Sequence, residues 1–220
     1  MHTPQRHRSD LWHQPGPVWC ALCAALALLS VLLAGLVGLG ALKAQWLDWQ
    51  PQLALAQPWR AFTAALLHWS PMHLWANIGS LFIVAALGWV AEVPRALTGA
   101  ALAAWPLTQL GLLLQPELQH YAGLSGWLYA AIGVVIVHLV WNRAGTPRWI
   151  GIGIGIALGI KLAAEQAWMQ PLQVMAGWDI AIAPAAHASG TAMGVMLAAL
   201  ITAAHRRGPA RSGARLAPRH

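Results

Sequence analysis

Six long apolar stretches dominate this chain, and a helix needs about 20 apolar residues to cross a bilayer. They fall near residues 18–42, 72–91, 96–114, 121–141, 147–168 and 181–204. With 58% hydrophobic and only 9% charged residues among 220, the apolar surface exceeds what one soluble core can hide. The expected fold class is all-α: a polytopic membrane protein built as a six-transmembrane-helix bundle. The first stretch is longer than the roughly 7–15 residues of a cleaved signal core, so it is expected to remain as a span.

The formal charge of +7 does not point to nucleic acid, because the basic residues gather at the ends and in alternate loops. Arg6, Arg8, Arg95, Arg143, Arg148, Arg206, Arg207, Arg211, Arg215 and Arg219 share one side of the predicted map. Lys43 and Arg60 take the other, and Lys161 falls within the fifth span. By the positive-inside rule the first side is cytoplasmic and holds both termini. Asp48, Glu117 and Asp179 then lie outside. The tails, 1–15 and 207–220, are polar and rich in Pro, Gly, His and Arg, and are expected to be disordered around a membrane domain at 16–206.

The tryptophans agree with this map: Trp12, Trp19, Trp89, Trp141 and Trp149 sit at inner ends, and Trp46, Trp49, Trp59, Trp168 and Trp178 at outer ends. The connection from Lys43 to Pro71, rich in Trp, Gln and Pro, is expected to lie in the outer interface rather than cross. Cys20 and Cys23 stand at the start of an apolar helix with no second pair, so helix packing is favoured over metal or redox chemistry. Gly151, Gly153, Gly155 and Gly159 lack the preceding strand and acidic partner of a dinucleotide fingerprint, and are expected to serve close helix packing. No cofactor and no metal are expected.

Two polar residues stand out within the spans, Ser125 in Gly123-Leu124-Ser125-Gly126 and His187 in Ala186-His187-Ala188-Ser189-Gly190. Polar groups are costly in hydrocarbon and mark function by default. Counted from the predicted outer ends, Ser125 is four residues in and His187 six, a depth of roughly 6–9 Å at the helical rise. His187, Gly190 and Gly194 share one helix face, which gives a strip without side chains below the imidazole. His73 and Asn77, at i and i+4 of the second span, face the same depth as donors for an oxyanion, together with the backbone N–H of Ser125 and of Leu124. Tyr129, one turn from Ser125, is expected to pack on the imidazole.

No carboxylate is expected beside His187, since Glu92 maps inside and Asp179 to a loop, so a Ser–His dyad is the economical reading. Lys161 and Glu165, at i and i+4, are expected to pair with each other. His68, His120 and His138 are read as satisfied structural histidines. A Gly-x-Ser-Gly run alone is equally well a packing patch, but three matched elements on three spans are not.

These residues resemble the rhomboid family of intramembrane serine proteases. The resemblance runs from Trp59 to Gly194 through Trp59-Arg60, Phe62-Thr63, His68, His73-Leu74-Trp75-Ala76-Asn77, Gly123-Leu124-Ser125-Gly126 with Tyr129, and Ala186-His187 with Gly190 and Gly194. It implies Ser125 as nucleophile, His187 as base, His73, Asn77 and the Ser125 backbone as oxyanion donors, and a transmembrane protein as substrate. The compact form, Tyr121-Ala122-Gly123-Leu124-Ser125-Gly126 and Lys161-Leu162-Ala163-Ala164-Glu165-Gln166 look like the rhombosortase subfamily. That likeness implies a bacterial inner-membrane enzyme acting on exported proteins with a C-terminal Gly-Gly, hydrophobic helix and basic tail. The alternatives are a general rhomboid protease of other transmembrane substrates, a catalytically silent rhomboid-like membrane chaperone, and a small transporter. The last lacks internal repeats and enough charge at mid-membrane.

The charge asymmetry predicts that reporter fusions at residues 15 and 215 both read cytoplasm and one at residue 117 the opposite side. A C-terminal reporter on the same side as residue 117 would contradict the map.

Overall fold

The computed structural model describes residues 16–115, 117–169 and 171–207. The expected tails therefore lie outside the described residues, except that Arg207 is the last residue of a helix. Seven α-helices are present among the described residues: α1 Pro17–Gly38, α2 Arg60–Leu66, α3 Pro71–Val90, α4 Arg95–Gly111, α5 Ser125–Asn142, α6 Thr146–Ala164 and α7 Pro184–Arg207. All but α2 belong to the six candidate membrane spans, that of α4 continuing to Leu114 through a short 3-10 turn. The chain is a multi-pass helical membrane protein, with one addition to the all-α expectation. Gln173–Val174 (β1) and Ala181–Ile182 (β2) pair antiparallel in the connection before α7.

Prolines and caps set the helix starts. Pro17, Pro71 and Pro147 occupy first-turn positions, where the missing N–H is no loss. Ser70 caps α3 by accepting the His73 N–H. Two spans begin later than the hydropathy suggests. Residues 121–124 and 181–183 are not helical, so Ser125 is the first residue of α5 and His187 the fourth of α7. The depth counted from 121 and 181 is corrected accordingly: both residues occupy the first turn of their helices. Hydropathy cannot register this shift, because the non-helical residues are themselves apolar and mostly buried against protein.

Helix α5 is the centre of the bundle, with 61% of its span buried, against 17% for α1 and 6% for α6 at the rim. Its closest partner is α7. A Cβ on Gly190 would fall on the Gly126 carbonyl oxygen, and one on Gly194 on that of Ala130. Such backbone-to-backbone contact is how helices associate where lipid offers no hydrophobic drive. α4 closes on α7 at Gly111, which faces the Ser189 side chain, and Ser189 Oγ donates to Thr108 O at 2.7 Å.

The glycines of α6 divide. Gly151 meets Leu139 and Val140 of α5, and Gly155 lies 3.5 Å from Ile136 by its notional Cβ. Gly153 and Gly159 face open space, which corrects their assignment to helix packing. Two tryptophans are also corrected from interface to core. Trp19 is fully buried, its indole seated at Gly88 and donating to Val84 O at 2.9 Å, and Trp49 is 1% exposed. Cys23 is buried in the same cluster as Trp19 and Cys20 packs on it, the packing role expected of them. At the end of the bundle remote from Ser125, Arg143 pairs with Glu92 at 2.5 Å, and His138 shares the Ala91 carbonyl with Arg143.

The connection from Lys43 to Pro71 does not cross the bundle. It folds as two 3-10 turns and α2 around buried Asp48 and Arg60. Arg60 Nη1 donates to Asp48 Oδ1 at 2.9 Å and to the Asp48 carbonyl at 2.7 Å. His120 Nδ1 meets Asp48 Oδ2 at 2.5 Å, and Trp49 and Tyr121 exchange backbone hydrogen bonds of 2.7 and 2.9 Å. The connection is thereby fastened to the segment that leads into Ser125.

Because its notional Cβ overlaps backbone, Gly190→Ala should lower stability by about 1–3 kcal/mol. Gly153→Ala, in open space, should be neutral or stabilising by up to about 1 kcal/mol. Thermal unfolding in detergent micelles measures both, and equal loss in the two variants would refute the packing account.

Candidate active site

Ser125 owes its position to the turn before it. Gly123 has φ +128°, a conformation that L side chains rarely adopt, and a Cβ there would run into the His73 ring. Its N–H donates to Ala64 O at 2.9 Å, which ties the turn to α2. Tyr121, buried beneath, donates its hydroxyl to Gly123 O at 2.9 Å. Burial pushes the Tyr121 phenol up to about 12, partly offset by the adjacent Ser125 side chain and Gly126 backbone, so it stays a neutral donor. The first helical bond of α5 runs from Leu128 N–H to Leu124 O. The N–H groups at Ser125 and just after it therefore have no intrahelical acceptor and sit at the positive end of the helix dipole.

His187 is held in two directions. The Tyr129 ring stacks on it, centroids 4.1 Å apart and planes parallel, as expected from the spacing. Its Nδ1 lies 2.8 Å from Glu165 Oε2, and Glu165 Oε1 accepts from Lys161 Nζ at 2.5 Å. This corrects the expectation that no carboxylate reaches His187. The Lys161–Glu165 pair is present, but only one carboxylate oxygen belongs to it. The available signal was the position of Glu165 at the outer end of the fifth stretch, on the side where the sixth begins with His187. An ionised carboxylate only accepts, so Nδ1 carries a hydrogen, and in the neutral ring Nε2 is then the nitrogen with the lone pair.

α3 brings His73 and Asn77, both buried, with Asn77 Nδ2 donating to His73 O at 3.1 Å. Ser70 donates to Asp179 Oδ1 at 2.9 Å, joining the start of α3 to the connection before α7. His68 stands edge-on to His73 at 4.8 Å, with its Nδ1 3.1 Å from Leu66 O. Burial, with the neighbouring His73, pushes His68 down to about 4, so it is neutral at physiological pH. His73 Nδ1 is buried and has no hydrogen-bond partner among the described residues.

A single cavity of about 420 Å³ is lined by Ser125, His187, His73, Asn77, Tyr129 and Glu165. Its remaining wall is largely apolar and includes Trp69, Leu172, Met175 and Trp178. No direct hydrogen bond joins Ser125 to His187. Of the other residues singled out from the sequence, Leu124 has its side chain in the core and precedes Ser125 only through its backbone. Gly190 and Gly194 lie below the cavity at the α5–α7 contact. His120, read as structural, borders the cavity as well as pairing with Asp48. No group of three His, Cys, Asp or Glu converges as metal ligands among the described residues.

The arrangement offers an alcohol, an imidazole whose Nδ1 faces a carboxylate, and N–H donors without intrahelical acceptors around one cavity. Compared with known proteins, the chain matches the family model described as the Rhomboid domain over residues 55–204. No curated protein gives a significant match.

Proposed function

The chain belongs to the rhomboid family, whose members are in general intramembrane serine proteases, and from that premise we propose that it is an active serine endopeptidase. The observation that carries the reading is the shared cavity of Ser125 and His187, with Nδ1 of the histidine already engaged. Ser125 Oγ attacks a peptide carbonyl of a transmembrane substrate, and His187 Nε2 takes the hydroxyl proton and returns it to the leaving amine. Water then attacks the acyl carbon as His187 takes its proton, and His187 returns that proton to Ser125 Oγ as the ester bond breaks and the carboxylic acid product leaves. Asn77, His73 and the backbone N–H groups of Ser125 and Leu124 hold the oxyanion. The protein sits in a bacterial inner membrane with both termini in the cytoplasm, and cuts near the outer surface.

The substrate reading is a C-terminal anchor of an exported protein with a Gly-Gly pair just outside its helix. Ser125 and His187 are in the first turns of their helices, so a peptide bond reaches them only where the substrate helix unwinds. Glycine eases unwinding by about 1 kcal/mol per residue relative to alanine. This supports the rhombosortase likeness of Tyr121–Gly126 and Lys161–Gln166.

Ser125→Ala and His187→Ala should each abolish cleavage in proteoliposomes without loss of folded protein. Asn77→Ala should retain residual activity, about 10²- to 10³-fold reduced. A serine-reactive fluorophosphonate should label Ser125 and require His187. Cleavage by Ser125→Ala at the wild-type rate would overturn the mechanism.

An exported test protein carrying a Gly-Gly anchor should be released by wild type, and replacing both glycines by leucine should sharply reduce release. Equal cleavage of a transmembrane substrate without such a pair would favour a general rhomboid protease. A folded wild-type protein that binds such helices and cuts none would favour the silent chaperone.

A further inference from the structure

We propose that Glu165 is a positioning residue for His187, extending Ser125 and His187 into a Ser–His–Glu relay; this rests on the reading of those two residues as nucleophile and base. The Tyr129 stack sets the plane of the imidazole, but a flat aromatic face is the same to either edge of the ring. It cannot choose which nitrogen points toward Ser125. The 2.8 Å contact from Nδ1 to Glu165 Oε2 makes that choice, because an acceptor-only carboxylate holds the N–H on Nδ1 and leaves Nε2 as the proton acceptor. When Nε2 takes the serine proton, the positive charge forms beside a carboxylate that is already in place.

Glu165 itself is fixed from two sides. Its side chain is only 3% exposed, and a charge so buried needs partners for both oxygens. Lys161 occupies Oε1 at 2.5 Å and turns Oε2 toward His187. The backbone is held by the end of α6. Gln166 adopts φ +48°, with Gln166 N–H bonded to Ala163 O and Ala167 N–H to Leu162 O, the paired bonds of a Schellman cap. Ala167, 1% exposed, seats that cap in the protein. Elsewhere α6 is a rim helix whose buried residues are Gly151 and Leu158. The ordered polar end of an otherwise lipid-facing helix is thus the part that meets the imidazole.

The test compares wild type with Glu165→Gln, Glu165→Asp and Lys161→Met in proteoliposomes, using a transmembrane substrate that wild type cleaves. The readouts are kcat, KM, fluorophosphonate labelling of Ser125 and thermal unfolding. Glu165→Gln should lower kcat and the labelling rate by roughly 10²- to 10⁴-fold with KM unchanged, the range of a lost acid–base contribution. Glu165→Asp should recover part of the loss by keeping the charge, and Lys161→Met, which removes the partner of Oε1 but not the Oε2 contact itself, should lose less than Glu165→Gln. Equal kcat in Glu165→Asp and Glu165→Gln, or a loss carried by KM or by unfolding alone, would overturn the proposal. Wild-type kcat in Glu165→Gln would do so too, leaving the peptidase reading intact. That reading is tested separately by the dependence of labelling on Ser125.

Discussion

The rest of the structure depends on the close contact of α5 and α7. Gly190 and Gly194 leave the backbone of α7 against the carbonyl oxygens of Gly126 and Ala130, and Gly133 meets the Thr191 carbonyl and Val195 further along. Dispersion and weak polar contact act at full strength only when no side chain intervenes, and in lipid these terms replace the missing hydrophobic drive. Gly126 follows Ser125, and Gly190 lies three residues after His187. A contact between glycines therefore determines how far apart the alcohol and the imidazole stand.

Around that contact, two ionic groups centred on buried carboxylates organise the end of the bundle that carries Ser125. Asp48 takes Arg60 and His120, which fastens the connection before α3 to the turn before Ser125. Glu165 takes Lys161 and His187, which fastens the end of α6 to α7. Buried charges are weak sources of net stability but strong constraints on geometry, because breaking a pair leaves an uncompensated charge. The site is organised by where these pairs allow side chains to go. The apolar walls contribute enclosure and a lower dielectric, in which each polar contact carries more energy.

How much was legible in the chain follows from the range of each signal. Ser125, His187, His73 and Asn77 were found as polar residues in apolar runs, and Tyr129 as a residue one turn from Ser125. Each is a local pattern that survives folding unchanged. Glu165 was assigned correctly to Lys161 and missed for His187, because an i, i+4 partner is visible along a helix and a partner 22 residues away on another helix is not. The burial of Trp19 and Trp49 was missed for the same reason. Their notches, at Gly88 for Trp19 and beside Tyr121 for Trp49, are made by other segments.

By itself the sequence determined the number of spans, the small-residue face of the sixth, and the polar residues within the apolar runs, since hydropathy and helical period are properties of contiguous residues. The tertiary structure alone decided that Ser125 opens its helix, that only two of the four α6 glycines touch a neighbour, and that a carboxylate stands beside Nδ1 of His187. Those outcomes depend on which helix lies beside which and at what distance, and in a bilayer that is set by the shapes of facing backbones, which no single stretch of chain contains.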